Sequence, residues 1–231
     1  MMRLIQSSIM CTHRISTMTL VVMSDFDGTI VEIDTCVYIL NRFAETDWKA
    51  LDERFERSEI TLEECLQSQF STIKASKAQI LHEIEKVTRT RNNFASLIEY
   101  CRSKQFQLVL VSAGLDFIIN HFLASNGWKH LMIVHAPKAE FSANGIRFTF
   151  PRLIDETSAN FKEDVVKSYS RKHVNVAYIG DGVSDYPAAR RANIPFAIRN
   201  SKLAEVLNRN RISHHEIEDF REVIDCIERV L

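Results

Sequence analysis

Apolar residues in this chain fall into short runs separated by longer amphipathic stretches. Residues 19–24 (TLVVMS) are rich in apolar and β-branched side chains and stop at Asp-Phe-Asp-Gly-Thr, the form of a buried strand closed by a turn. Runs of the same kind recur at residues 106–111, 131–135, 174–179 and 195–198. Helical spacing predicts helices over 92–104, 115–126, 160–172 and 184–192. Strands alternating with helices predict parallel pairing, hence an α/β fold around a Rossmann-like parallel sheet. Residues 139–151 hold Asn144-Gly145 between two apolar-aromatic stretches, which predicts a small hairpin. Ile217, Phe220, Ile224, Ile227 and Leu231 space an amphipathic closing helix.

The segment 34–90 breaks the alternation. It contains no Gly and no Pro, is rich in Glu, Lys, Arg, Leu and Gln, and keeps helical spacing throughout. Thr61 and Glu64 form a capping-box pair at the start of one helix. A crossover needs only a dozen or so residues. About four extra helices are therefore expected outside the sheet, as a small all-helical cap over 34–90. Residues 18–33 and 91–231 then build the core.

Composition narrows the picture further. With 231 residues, 45% of them hydrophobic and 26% charged, the chain can build one sizeable core with a small accessory domain. The net charge is −1 and no long basic run occurs, which argues against a nucleic-acid partner. No apolar stretch approaches the roughly 18 residues that cross a bilayer. Five cysteines (Cys11, Cys36, Cys65, Cys101, Cys226) lack any C-x-x-C pair and read as reduced thiols of a cytoplasmic protein. A homodimer is left open. Residues 1–17 are basic, rich in Ser and Thr and free of acids, and read as a leader outside the fold, with Met18 an adequate start.

Four segments carry chemistry. Asp25 and Asp27 lie two apart at the carboxyl end of the first strand, the edge where open α/β sheets bind ligands. One carboxylate there can attack phosphorus while the other moves protons, and Gly28 lets the backbone turn. Asp181 and Asp185, in Gly-Asp-Gly-Val-Ser-Asp after another strand, offer the oxygen ligands that Mg²⁺ prefers. Ser112, Ala113 and Gly114 close a third strand with a hydroxyl and backbone N–H groups suited to an anion. Lys162 stands in the first turn of the helix opened by Asn160, whose capping partner is expected to be Glu163. A cation is disfavoured at a helix N-terminus unless it faces a phosphate or carboxylate. The alternatives are acidic turns, a Ser cap and a solvated Lys. His214-His215 is expected to be exposed, and Trp48, Trp128 and most Phe residues are expected to pack.

Taken in order, these segments resemble the four motifs of the haloacid dehalogenase superfamily, and its phosphoserine-phosphatase-like branch in particular. The resemblance runs from Met18 to Ile198, includes the helical insertion, and extends to the segment Val111–Phe117 (VSAGLDF). It implies Asp25 as nucleophile, Asp27 as acid and base, Ser112 and Lys162 on the phosphoryl group, and Mg²⁺ held by Asp25, the Asp27 carbonyl and Asp181, with Asp185 in support. It also implies a substrate-facing acid at Asp34. Phosphoserine phosphatases carry a cap arginine where this chain has Gln69, and the segment 157–162 (TSANFK) is similar to enol-phosphate phosphatases of methionine salvage and to phosphocholine-type phosphatases. The expected activity is therefore Mg²⁺-dependent hydrolysis of a small phosphorylated metabolite through a phosphoaspartate, with an enol-phosphate as candidate substrate and phosphoserine a poor one. Phosphoserine hydrolysis and phosphoryl transfer to another acceptor are the rival activities. A pure binding module is disfavoured because both Asp25 and Asp27 are present, and a dehalogenase would lack the second acid.

Overall fold

The computed structural model describes residues 19–143 and 145–230. The expected leader, residue Asn144 of the hairpin turn and Leu231 lie outside the described residues. The sheet has six strands in the order β3-β2-β1-β6-β7-β8, all parallel. These are β1 (Leu20–Ser24), β2 (Gln107–Val111), β3 (Ile133–His135), β6 (Asn175–Gly180), β7 (Ile194–Ile198) and β8 (His215–Ile217). Residues of β1 and β7 are buried throughout, as two covered faces require. Chain order runs outward from β1 in both directions, so the gap between β2 and β6 at the tip of β1 is a topological switch point.

Helices α5 (Phe94–Lys104), α6 (Asp116–Ser125) and α7 (Phe161–Ser170) start or end within two residues of the spacing's prediction. The Asn160 side chain does accept from Glu163 N, at 3.0 Å. The return arm differs: Glu163 Oε2 takes the Ala159 N–H at 2.7 Å, one residue earlier than a capping box requires. The expected helix over 184–192 is a 3₁₀ turn, Val183–Asp185, followed by the short α8 (Tyr186–Ala189) with Pro187 in its first turn. Asp185 bends its carboxylate back to its own loop, which closes the tight turn. Ile217 belongs to β8 and not to the closing helix α10 (Phe220–Val230). His214 is not exposed; its side chain retains 5% of its surface and Nδ1 lies 2.9 Å from the Ile212 carbonyl. Helix α9 (Lys202–Arg209), capped by Ser201, was not foreseen.

Four helices stand between β1 and α5: α1 (Thr35–Phe43), α2 (Trp48–Glu56), α3 (Leu62–Phe70) and α4 (Lys77–Val87). Each begins on a polar cap, Asp34, Asp47, Thr61 or Ser76, and Thr61 with Glu64 makes the full capping box. Ile39, Leu40, Phe70, Ile80 and Ile84 are buried. The chain leaves and re-enters the core side by side: Val31 and Thr90 form a bridge, and Glu32 N donates to the Arg89 carbonyl at 3.0 Å. The hairpin of β4 (Lys138–Ser142) and β5 (Gly145–Thr149) leans on α3. There Gln67 donates to the Ile146 carbonyl at 3.2 Å and accepts from Phe148 N at 2.9 Å, serving the edge of β5 as a neighbouring strand would.

Candidate active site

Every motif residue is delivered by a strand tip or helix start around the switch point. β1 ends in Asp25, whose N–H donates to the Ile179 carbonyl of β6 at 2.9 Å. The next turn brings Asp27 around Gly28, which has φ +68°. A Cβ on Gly28 would stand 2.2 Å from an oxygen of Asp181, so only glycine lets the two acidic loops meet. Gly114 plays the same part against Asp27, whose Oδ2 would lie 2.2 Å from an added Cβ. Ser112 Oγ accepts the Gly114 N–H at 3.0 Å and holds that loop closed.

Lys162 is the electrostatic centre. It is 1% exposed and lies 2.9 Å from Asp25 Oδ2 and 2.7 Å from Asp185 Oδ1. Burial pulls the ammonium down, but Asp185 and Asp25 outweigh it and its pKa is raised. Asp185 is fully buried and also accepts from Tyr178 Oη at 2.7 Å, Asp181 N at 3.1 Å and Gly182 N at 3.0 Å. Asp25 Oδ1, in contrast, is buried without a hydrogen-bond partner. Oxygens of Asp25, Asp181 and Asp185 lie within 4.8 Å of one another. Burial and then Asp185 raise Asp25 well above the usual carboxylate range. Burial, then Asp34, pushes Asp27 to about 7, and burial, then Asp185, does the same to Asp181. A hard divalent cation fits this set: all-oxygen donors, crowded negative charge and a buried carboxylate oxygen of Asp25 without a hydrogen-bond partner.

Above this floor lies a cleft of about 360 Å³, walled on the far side by α1–α3. Its apolar wall includes Val37, Leu40, Trp48, Phe55 and Leu66. Trp48 therefore lines the cleft as well as packing, whereas Trp128 sits in the core against Phe94 and Phe122. Asp34 is open to the cleft and caps α1 through Val37 N at 2.8 Å. Gln69 also lines it, 3% exposed, but its amide donates to the Trp48 carbonyl at 3.2 Å. Its polar capacity is thus turned to the wall itself.

The sequence pattern of haloacid dehalogenase-like hydrolases matches residues 22–190, most of the chain and every strand tip just described. The chain belongs to this family. This hydrolase is also 30% identical, over 91% of its length and 96% of the other's, to a 2-hydroxy-3-keto-5-methylthiopentenyl-1-phosphate phosphatase of Brevibacillus brevis. A protein of the same name from Geobacillus kaustophilus is 27% identical over 93% of this chain and 98% of its own. Among solved structures, a phospho-aspartyl intermediate analogue of phosphoserine phosphatase superposes with a TM-score of 0.67 at 17% identity, covering 90% of this chain and 98% of the other. That likeness concerns the fold.

Three residues of the hydrolase's site escaped the sequence reading. Thr35 donates to Asp27 Oδ1 twice, from N at 2.9 Å and from Oγ1 at 2.5 Å. Tyr178 braces Asp185 from inside the sheet. Arg91 grips the carbonyls of Gly28 and Thr29, at 2.7 and 2.8 Å, from the point where the insertion rejoins the core. Asp34 followed by Thr was a readable cap signal for Thr35; nothing in the sequence marks the other two.

The crowded acids predict a pH dependence. Asp27 and Asp181 bind protons more tightly folded than unfolded, so they favour the folded state at low pH and that contribution is lost as pH rises through about 7. The metal-free protein is expected to melt at progressively lower temperature between pH 5.5 and 8, and a divalent cation to restore the loss. Calorimetric melts with and without chelator check this; a flat chelated profile contradicts it.

Proposed function

We propose that this chain, a phosphoric monoester hydrolase, hydrolyses a small enol phosphate, the methylthiopentenyl phosphate for which its relatives are named, through a phosphoaspartate on Asp25. The observation that carries the proposal is the state of Asp25: Oδ2 held by buried Lys162, Oδ1 unpartnered, at the floor of a cleft.

In this reading an oxygen of Asp25 attacks phosphorus and the ester P–O bond breaks. Asp27 gives its proton to the leaving oxygen. Water then attacks the phosphoaspartate, Asp27 takes the water's proton, and phosphate leaves with Asp25 restored. Lys162 favours the ionised form of Asp25 against the burial and the neighbouring acids that raise its pKa, and meets the phosphoryl oxygens, with Ser112 and the Ala113–Gly114 backbone on the other side. Asp25, the Asp27 carbonyl and Asp181 would hold Mg²⁺, with Asp185 in support. When bound, it adds positive charge against the phosphoryl group. The helices of 34–90 act as the cap that keeps bulk water out. The four described cysteines are free and buried, which supports a reducing compartment such as the cytoplasm, and among the described residues no helix is long and apolar enough to cross a membrane.

The apolar wall of Leu40, Trp48 and Leu66 supports an uncharged tail on the substrate. A comparison of kcat/KM tests this. The methylthio enol phosphate is expected to exceed phosphoserine at least about a hundredfold, since a carboxylate meets no bidentate partner here. Phosphoserine as the better substrate would overturn the assignment.

Thr35 joins the cap to the acid, being both the first residue of α1 and the clamp on Asp27. Thr35→Val keeps shape and removes the Oγ1 donor. It is expected to lower kcat about tenfold with KM within about twofold, the pattern of a lost transition-state interaction. A change confined to KM would contradict the positioning role.

A further inference from the structure

Six acids line the cleft, Asp25, Asp27, Asp34, Asp52, Glu56 and Asp181, against two cations among the described residues, Lys162 and Lys202. Lys162 is engaged on the floor by Asp25 and Asp185. Any second anionic group on a substrate, beyond the phosphate, has therefore only Lys202 to meet. Other basic residues near the cleft wall are engaged elsewhere: Arg54 and Arg57, at the end of α2, pair with Glu59 at 3.6 and 3.0 Å, Lys74 pairs with Glu45 at 3.3 Å, and Lys49 lies 5.8 Å over the Trp48 ring and does not line the cleft.

Lys202 is placed to matter. It opens α9, and the next residue, Leu203, donates its N–H to the Asp181 carbonyl at 2.8 Å. The base of Lys202 is thereby fixed to the acidic loop under the phosphate site, and its side chain reaches across the cleft mouth from the core to the helical insertion. There its ammonium is taken by Glu56 Oε1 on α2. Asp52 and Asp34 act on the same ammonium from the cleft wall. An incoming carboxylate would have to displace Glu56 and enter a field set by three acids. An uncharged tail passes the pair along Leu40, Trp48 and Phe55 without disturbing it.

We propose that Glu56, by occupying Lys202, is a specificity determinant that excludes phosphate esters carrying a carboxylate. This is discrimination by a built-in competitor, the repulsive half of specificity. It rests on the reading of the cleft as a phosphomonoesterase site and adds which esters that site refuses.

O-phosphoserine and phosphoethanolamine differ only by a carboxylate, so the ratio of their kcat/KM values isolates the effect. Glu56→Gln is expected to raise the phosphoserine/phosphoethanolamine ratio roughly tenfold, because Lys202 is freed and one negative charge is removed. Glu56→Gln combined with Lys202→Met is expected to lose most of that gain. Both side chains are surface-exposed, 38% and 59%, so the variants are expected to fold. A ratio unchanged within twofold in Glu56→Gln overturns the proposal. A gain that persists in the double variant also overturns it, since Lys202 would then not be the receiver. Hydrolysis of p-nitrophenyl phosphate by the unaltered protein is read separately. If that ester and the others are all left intact, the phosphatase reading fails and the proposal falls with it. If they are cleaved and the ratio does not move, only the role of Glu56 fails.

Discussion

Asp25→Asn is expected to lower kcat by at least about 10⁴-fold while leaving the protein folded, because a carboxamide does not attack phosphorus at a useful rate. The structure separates this loss from a loss of stability. Asp25 sits among Asp185, Asp181 and Asp27, all of which work against its charge, and Lys162 keeps its second partner in Asp185. Replacing the carboxylate by its amide isostere relieves that crowding. The variant's melting temperature in chelator is therefore expected to match or exceed that of the parent, with turnover abolished. Turnover within a hundredfold of the parent would contradict the assignment of Asp25 as nucleophile.

Lys162→Met is expected to damage both properties. The methionine fills much of the lysine's volume, yet two buried carboxylates lose their shared cation. Asp185 retains three hydrogen-bond donors; Asp25 Oδ2 loses its ion-pair partner among the described residues. Breaking a buried ion pair from one side typically costs about 3–5 kcal/mol. We expect a loss of that order at neutral pH, smaller at pH 5.5, where the acids can protonate, together with a fall in kcat/KM of about 10³-fold or more. Denaturant melts at the two pH values and steady-state kinetics check both parts. A variant as stable as the parent at pH 8 would mean that Lys162 is not what holds Asp25 and Asp185 together.

Much of this site could be read from the chain because its parts are local. Asp25 and Asp27 share one turn, Asp181 and Asp185 another, and each turn follows an apolar run whose strand character is plain. The helical insertion was legible for a related reason: more than fifty residues without Gly or Pro can hardly be loop, and Thr61 with Glu64 marked one start. The failures are of two kinds. β8 is three residues long and exposed at two of them, so it carries no periodicity, and Ile217 fitted the spacing of α10 by coincidence. The Asp185 turn closed too tightly for the helix expected there, since its carboxylate serves its own loop. The second kind is long-range. Tyr178 looks like one more strand residue until Asp185 folds over it, and Glu56 and Lys202 are 146 positions apart yet meet across the cleft mouth. Gln69 was expected to face the substrate; it lies in the cleft wall with its amide donating to the Trp48 carbonyl, a partner 21 positions away that the sequence does not mark.

The central claim is a covalent phosphoaspartate on Asp25, and rapid acid quench of a single turnover tests it most directly. With substrate labelled in the phosphoryl group and Mg²⁺ present, we predict an early burst of leaving group matched by protein-bound phosphate. That phosphate should be labile to hydroxylamine, map to the peptide containing Asp25, and be absent in Asp25→Asn. Product formed at the full rate with no protein-bound phosphate at any quench time would contradict the account.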